Sequence, residues 1–146
     1  MKYILILALL LLSNSCSRTS LECGDLLNKY AIKPNEVEFV SCKTGIGQTL
    51  LEADYRVLGK DSEEVEKLLM DTYGMGELKF VCCGWESENG KNGYVENTQL
   101  KTINQDYILE ISMFGNAEKK CENGKTELEL DRTKVDFTIK VKVLQL

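Results

Sequence analysis

A chain of 146 residues with 23 acidic and 18 basic side chains, formal charge −5, and a single proline has the length of one domain. It lacks the concentrated basic face that nucleic-acid binding requires. There is no histidine, which excludes Ser-His-Asp and Cys-His catalysis and any zinc site built on imidazole.

The N-terminus gives an address. Lys2 precedes an apolar run from Tyr3 to Leu12, followed by Ser13-Asn14-Ser15-Cys16. The run is too short for a stable span and ends in small residues, the pattern of a secretory signal peptide over residues 1–15. A cysteine at the cut reads as the lipidated residue of a bacterial lipoprotein, with Cys16 as the mature N-terminus. Ser13 stands where such a signal usually has Leu, and Ser13 with Ser15 also satisfies an ordinary signal-peptidase cut that leaves Cys16 free for a disulfide. Several acyl chains on Cys16 would anchor durably where one tail binds marginally. Residues 16–20 then form a short lipid-anchored tether. Ser17 in place of Asp favours the outer membrane, so the expected location is the periplasmic face of the cell envelope. The acidic balance leaves the lipid anchor as the only expected membrane contact, with an envelope protein as the expected partner.

Residues 21–146 are expected to form a single domain. Leu21, Leu26, Leu27, Tyr30 and Ala31 give a helical stripe over 21–31, ended by Lys33-Pro34-Asn35. Val37 and Phe39 alternate with Glu36 and Glu38 in a strand. Gly45-Ile46-Gly47 turns the chain, and Leu51, Ala53, Tyr55 and Val57 alternate with charged neighbours in its hairpin partner. The best helix is 62–73, with Asp61 as its cap, Val65, Leu68, Leu69 and Tyr73 on one face, and Gly74 as the stop. Glu63, Glu64 and Glu66 read as its solvated face. Leu78 to Cys83 reads as one continuous strand, followed by a polar connector with two Asn-Gly pairs. Tyr107 to Met113 and Val135 to Val143 alternate cleanly, and Glu127, Glu129 and Asp131 read as a charged solvent face. One dry and one wet face per strand implies a mostly antiparallel sheet. The fold class is α+β, two-layered, with two helices on one face of the sheet.

In an exported chain, Cys23, Cys42, Cys82, Cys83 and Cys121 read as a disulfide framework with one thiol left over. Cys82-Cys83-Gly84-Trp85-Glu86 is the one distinctive motif. On a strand, Cys82 and Cys83 point to opposite faces, which predicts a separate bridge from each. Trp85 then packs over a neighbouring bridge. The functional alternative makes Trp85 and Glu86 the exposed rim of a recognition patch.

The runs Cys23-Gly24-Asp25-Leu26-Leu27, Phe39-Val40-Ser41-Cys42, Gln48 with Glu52 to Val57, Val65 to Leu69, Gly74 to Phe80 and Cys82 to Glu86, with Ile111-Ser112-Met113, resemble a bacterial family of unassigned activity. It is domain of unknown function 4952, over about residues 22–143. The resemblance implies a short exported or lipid-anchored protein and supplies no catalytic residue. Cys121 lies outside the resembling pattern, which marks it as the odd thiol. Cys82 and Cys83 are therefore expected to bridge to Cys23 and Cys42, in either order.

The leading functional expectation is a membrane-tethered envelope lipoprotein whose domain is a non-catalytic binding or accessory module, not an enzyme, without cofactor or metal. One alternative is an acidic inhibitor or immunity-type lipoprotein that neutralises a basic toxin or hydrolase. The other is a carboxylate-based hydrolase of envelope glycan.

Overall fold

The computed structural model describes residues 20–121 and 124–146. The expected signal peptide, the expected lipidation of Cys16 and all of the expected tether but Ser20 lie outside the described residues. No helix among the described residues is long and apolar enough to cross a membrane.

The chain opens with a short helix, α1 (Leu26–Tyr30), narrower than the 21–31 expected. Asp25 caps it by accepting the Asn28 N–H, and the preceding segment is held by a Cys23–Cys42 bridge instead of by helical turns. The hairpin β1 (Val37–Thr44) and β2 (Thr49–Val57) follows as expected, turned through Gly47 at φ +65°. α2 (Ser62–Tyr73) matches its expected span, and Gly74 ends it at φ 73°. Its entry differs from expectation. Asp61 makes no capping bond and pairs with Lys60, while the Ser62 hydroxyl donates to Gly59 O at 2.7 Å.

Three later features depart from the sequence reading. The expected strand 78–83 is a hairpin of β3 (Leu78–Val81) and β4 (Gly84–Ser87), with Cys82 and Cys83 as its turn. After β5 (Gly93–Val95) comes a third helix, α3 (Thr98–Ile103), capped by Asn97. Beyond β6 (Tyr107–Asn116), β7 (Glu118–Lys120) and β8 (Thr126–Leu128) form a small separate hairpin before β9 (Phe137–Gln145).

The main sheet runs β1-β2-β9-β6-β4-β3, with β5 also on β6, and every pairing is antiparallel. Register explains the two faces. Ala53 opposes Val141, which opposes Ile111; Tyr55 opposes Ile139, which opposes Met113. All six are buried, sharing one cluster with Leu26 and Leu27 of α1, Val65 and Leu69 of α2 and Leu100 of α3. Each buried Val, Leu, Ile or Met side chain among them contributes roughly 1.5–3 kcal/mol. The intervening rows, Asp54-Lys140-Ser112 and Arg56-Thr138-Phe114, point to the opposite face because strand side chains alternate. At the outer edge, a bulge between Phe39 and Ser41 interrupts β1 and leaves Val40 58% exposed.

Candidate functional site

The central strand β6 has two neighbours along one side. β4 pairs with its end, Gly84 to Asn116 and Trp85 to Gly115, and β5 pairs with its beginning, from Gly93 opposite Ile111. Between them the sheet forks at Ser112 to Phe114. Glycine makes the close end of the fork: a Cβ on Gly84 would lie 2.1 Å from Gly115 O. Asn89 and Gly90, both at positive φ, then carry the chain away from β6 toward β5.

The fork opens into a depression of about 550 Å³ lined by Val81, Cys82, Cys83, Glu86, Ser112 and Phe114 among others. A second depression of about 480 Å³ lies on the other side of Phe114, bounded by Val40, Arg56, Asp136, Thr138 and Lys140. Phe114, 39% exposed, is common to both. An aromatic ring thus stands between two hollows on the polar face of the sheet.

The surrounding charges are paired across strands. Lys140 reaches Glu52 at 2.9 Å, Lys43 reaches Glu52 at 3.2 Å, and Arg56 reaches Asp136 at 2.7 Å. Lys142 lies 3.5 Å from Glu110, which also accepts from Tyr94 Oη at 3.1 Å. The Lys140 hydrogen bond holds the Glu52 carboxyl below the usual carboxylate range despite partial burial, and Glu52 in turn raises Lys140. Every carboxylate with a resolved shift, namely Asp25, Glu52, Glu129 and Asp131, moves downward. Among the described residues no group of three or more Cys, Asp or Glu is placed to hold a metal ion.

The two residues of the expected recognition rim both line the fork depression but differ in exposure. Trp85 is 7% exposed, so it is not a rim residue. It packs edge-on against Phe80 at 5.0 Å and tilted against Phe137 at 5.6 Å, supporting the fork from the core side. Glu86 is exposed and lines the fork, on the face opposite to Trp85.

The cysteines also depart from the expected pairing. Cys23 bridges Cys42 with Cα atoms 5.6 Å apart, Cys82 bridges its neighbour Cys83, and Cys121 is free, as expected for the odd thiol. Topology makes the expected bridges unreachable. Cys42 lies on β1, at the opposite end of the sheet from β3, five strand spacings of about 4.8 Å away. Nor do the two thiols alternate along a strand, because Cys82 has left it at φ 53° and Cys83 N–H donates back to Val81 O at 2.6 Å, closing a three-residue γ-turn. The Cys83 carbonyl accepts from Ala117 N–H at 2.8 Å, which ties the turn to the chain beyond β6.

One buried constellation is absent from the sequence reading. Glu66, expected on a solvated face, is 6% exposed. It accepts from Leu78 N–H at 2.5 Å and pairs with Arg132 at 2.6 Å. Arg132 also donates from Nε to Ser62 Oγ at 2.8 Å and stacks on Phe137. The signal was present: Ser62, Glu66, Leu69 and Tyr73 follow one helical stripe. Glu127, Glu129 and Asp131 do lie at the surface, and Lys119 pairs with Glu129 at 2.6 Å.

A family model described as a domain of unknown function, DUF4952, matches residues 12–85. The match runs through the α1–β4 half of the domain to Trp85 and is shorter than the expected 22–143. No curated protein and no solved structure matches the chain.

Proposed function

We propose that this chain, which belongs to the DUF4952 family, is an exported lipoprotein anchored through Cys16 at the periplasmic face of the outer membrane. Its domain serves there as a non-catalytic binding module for an envelope protein. In this reading the domain is two-layered, with helices on one sheet face and the partner on the other. The observation that carries it is Phe114, an exposed aromatic shared by two hollows, which exposed Val81 and Val40 also line. Aromatic residues ringed by polar groups are the usual anchors of protein interfaces. Glu86 sits at the margin of the same surface.

The alternatives draw less support. A basic toxin would be steered by a concentrated acidic field, whereas the charges flanking Phe114 are paired. A glycan hydrolase needs one carboxyl whose proton affinity is raised, and the resolved carboxylate shifts run the other way.

A photo-crosslinking residue at position 114, compared in whole envelopes with one at Ile46 on the far β1–β2 turn, tests the binding surface. A product specific to position 114 is expected; identical products, or none, refute it. Anchoring is tested separately by palmitate incorporation, which Cys16→Ser should abolish.

A further inference from the structure

We infer that the Cys82–Cys83 bridge is a thiol–disulfide exchange site that accepts electrons from a dithiol partner. Three observations lead there. Cys23–Cys42 spans 19 residues and ties the segment before α1 to β1, whereas Cys82–Cys83 joins chain neighbours and therefore links no two elements. A disulfide stabilises chiefly by closing a loop of the unfolded chain, and this one closes none. Neighbouring residues across a trans peptide are held 3.8 Å apart at Cα. Ordinary disulfides place Cα atoms about 4.4–6.8 Å apart, and bridges outside that range are the more readily reduced. The pair is also accessible, since Cys82 is exposed at the tip of the β3–β4 hairpin and both residues wall the fork depression. Access of an attacking thiolate is one of the determinants of exchange rate.

The fold around the bridge does not depend on it. Val81 pairs with Gly84 across the turn, and Ala117 N–H holds the Cys83 carbonyl. The hairpin therefore keeps its place whether the bridge is closed or open.

The chemistry balances as follows. One thiolate of the dithiol attacks Sγ of Cys82, the more exposed of the two residues, the Sγ–Sγ bond breaks, and Cys83 leaves as a thiolate that takes up a proton. The second thiolate of the partner then attacks its own sulfur in the mixed disulfide and releases Cys82, which is protonated in turn. Two electrons and two protons pass to the cysteine pair, and the partner departs as a disulfide. This site shares the fork with the proposed binding surface but does not require that surface to bind anything.

The test uses the full chain, oxidised in air, treated with graded dithiothreitol, alkylated and mapped by peptide mass. Cys121 should label from the outset, and Cys82 and Cys83 together at about tenfold less reductant than Cys23 and Cys42 need. Trp85, the only tryptophan and two residues from the pair, should brighten in that first step, because disulfides quench indole emission, while far-ultraviolet circular dichroism stays constant. A Cys82→Ser/Cys83→Ser variant should fold and lack the first step. A dithiol carrier protein with its resolving cysteine replaced should be trapped as a mixed disulfide on Cys82. Opening of Cys82–Cys83 with or after Cys23–Cys42, alkylation of Cys82 and Cys83 before any reductant, a bridge from either to Cys121, or failure to trap the carrier would each overturn the inference.

Discussion

Removing the Cys23–Cys42 bridge offers a direct measure of how this domain is held together. The bridge closes 19 residues at an ordinary Cα separation of 5.6 Å. In the chain-entropy treatment a loop of this size is worth about 3 kcal/mol. The native contacts of α1 should survive the loss. Leu26 and Leu27 are fully buried, Leu27 N–H donates to Tyr55 Oη at 2.9 Å, and Tyr55 Oη donates to Asp25 at 3.1 Å. Asp25 also holds Lys33 at 2.5 Å. Cys23→Ser/Cys42→Ser should therefore fold, lose about 3 kcal/mol, and melt roughly 10–15 °C lower. Urea titration followed by Trp85 emission should show a lower midpoint, with a slope equal to or steeper than the parent's because the uncrosslinked chain exposes more surface when it unfolds. The Cys82→Ser/Cys83→Ser variant is the control and should differ from the parent by about 0.5 kcal/mol or less, as it closes no loop. A loss below about 1 kcal/mol for Cys23→Ser/Cys42→Ser, or a comparable loss in the control, would refute the assignment of one bridge to stability and not the other.

Arg132→Ala should cost about 3–5 kcal/mol by leaving the Glu66 carboxylate buried without its counter-ion, and a double-mutant cycle with Glu66→Gln by calorimetry should give clear coupling. Gly84→Ala should cost about 1–3 kcal/mol by driving β4 off β6, seen as faster amide exchange at Trp85 and Gly115. Acid should destabilise the fold with a definite sign. Burial alone would raise Asp25, but Lys33, Asn28 N–H and Tyr55 together hold it low, while Lys140 and then Lys43 hold Glu52 low. Both depressed groups contribute fully above the unfolded carboxylate value of about 4. That contribution is lost as pH falls through their folded values, so urea midpoints should decline below about pH 4, less steeply in Asp25→Asn/Glu52→Gln; an equal decline would remove these groups from the account.

How far the sequence foretold this structure depends on whether a feature was local and repetitive. β9 was legible because Phe137, Ile139, Val141 and Val143 repeat at period two without a break, and α2 because its stripe ends at a glycine that takes a left-handed conformation. α3 was not, since only Leu100 is buried and six residues cannot show a period; Asn97, a good capping residue, was its one signal. The cysteine turn was hidden because turns at positive φ are ordinarily marked by Gly, Asn or Asp, and here a cysteine takes that place. Read as strand, the segment points its two thiols to opposite faces and toward Cys23 and Cys42, which instead bond each other. The site around Phe114 needs the register of β1, β2, β9, β6 and β4 at once. No window of sequence contains it.

The bulge in β1 has a bearing on how copies of this chain behave when crowded. β1 is a terminal strand of eight residues, long enough to template pairing with another chain along its open N–H and C=O groups. The extra residue at Val40 breaks that row near its middle and changes the register of everything after it. Glu38 and Lys43, on either side of the break, would bring unlike patterns of charge against an incoming copy. The other terminal strand, β3, is only four residues long and ends in the cysteine turn. Neither of these borders, nor the three-residue β5, offers a continuous template, so molecules held close together should stay separate instead of extending one another's sheet into a fibre.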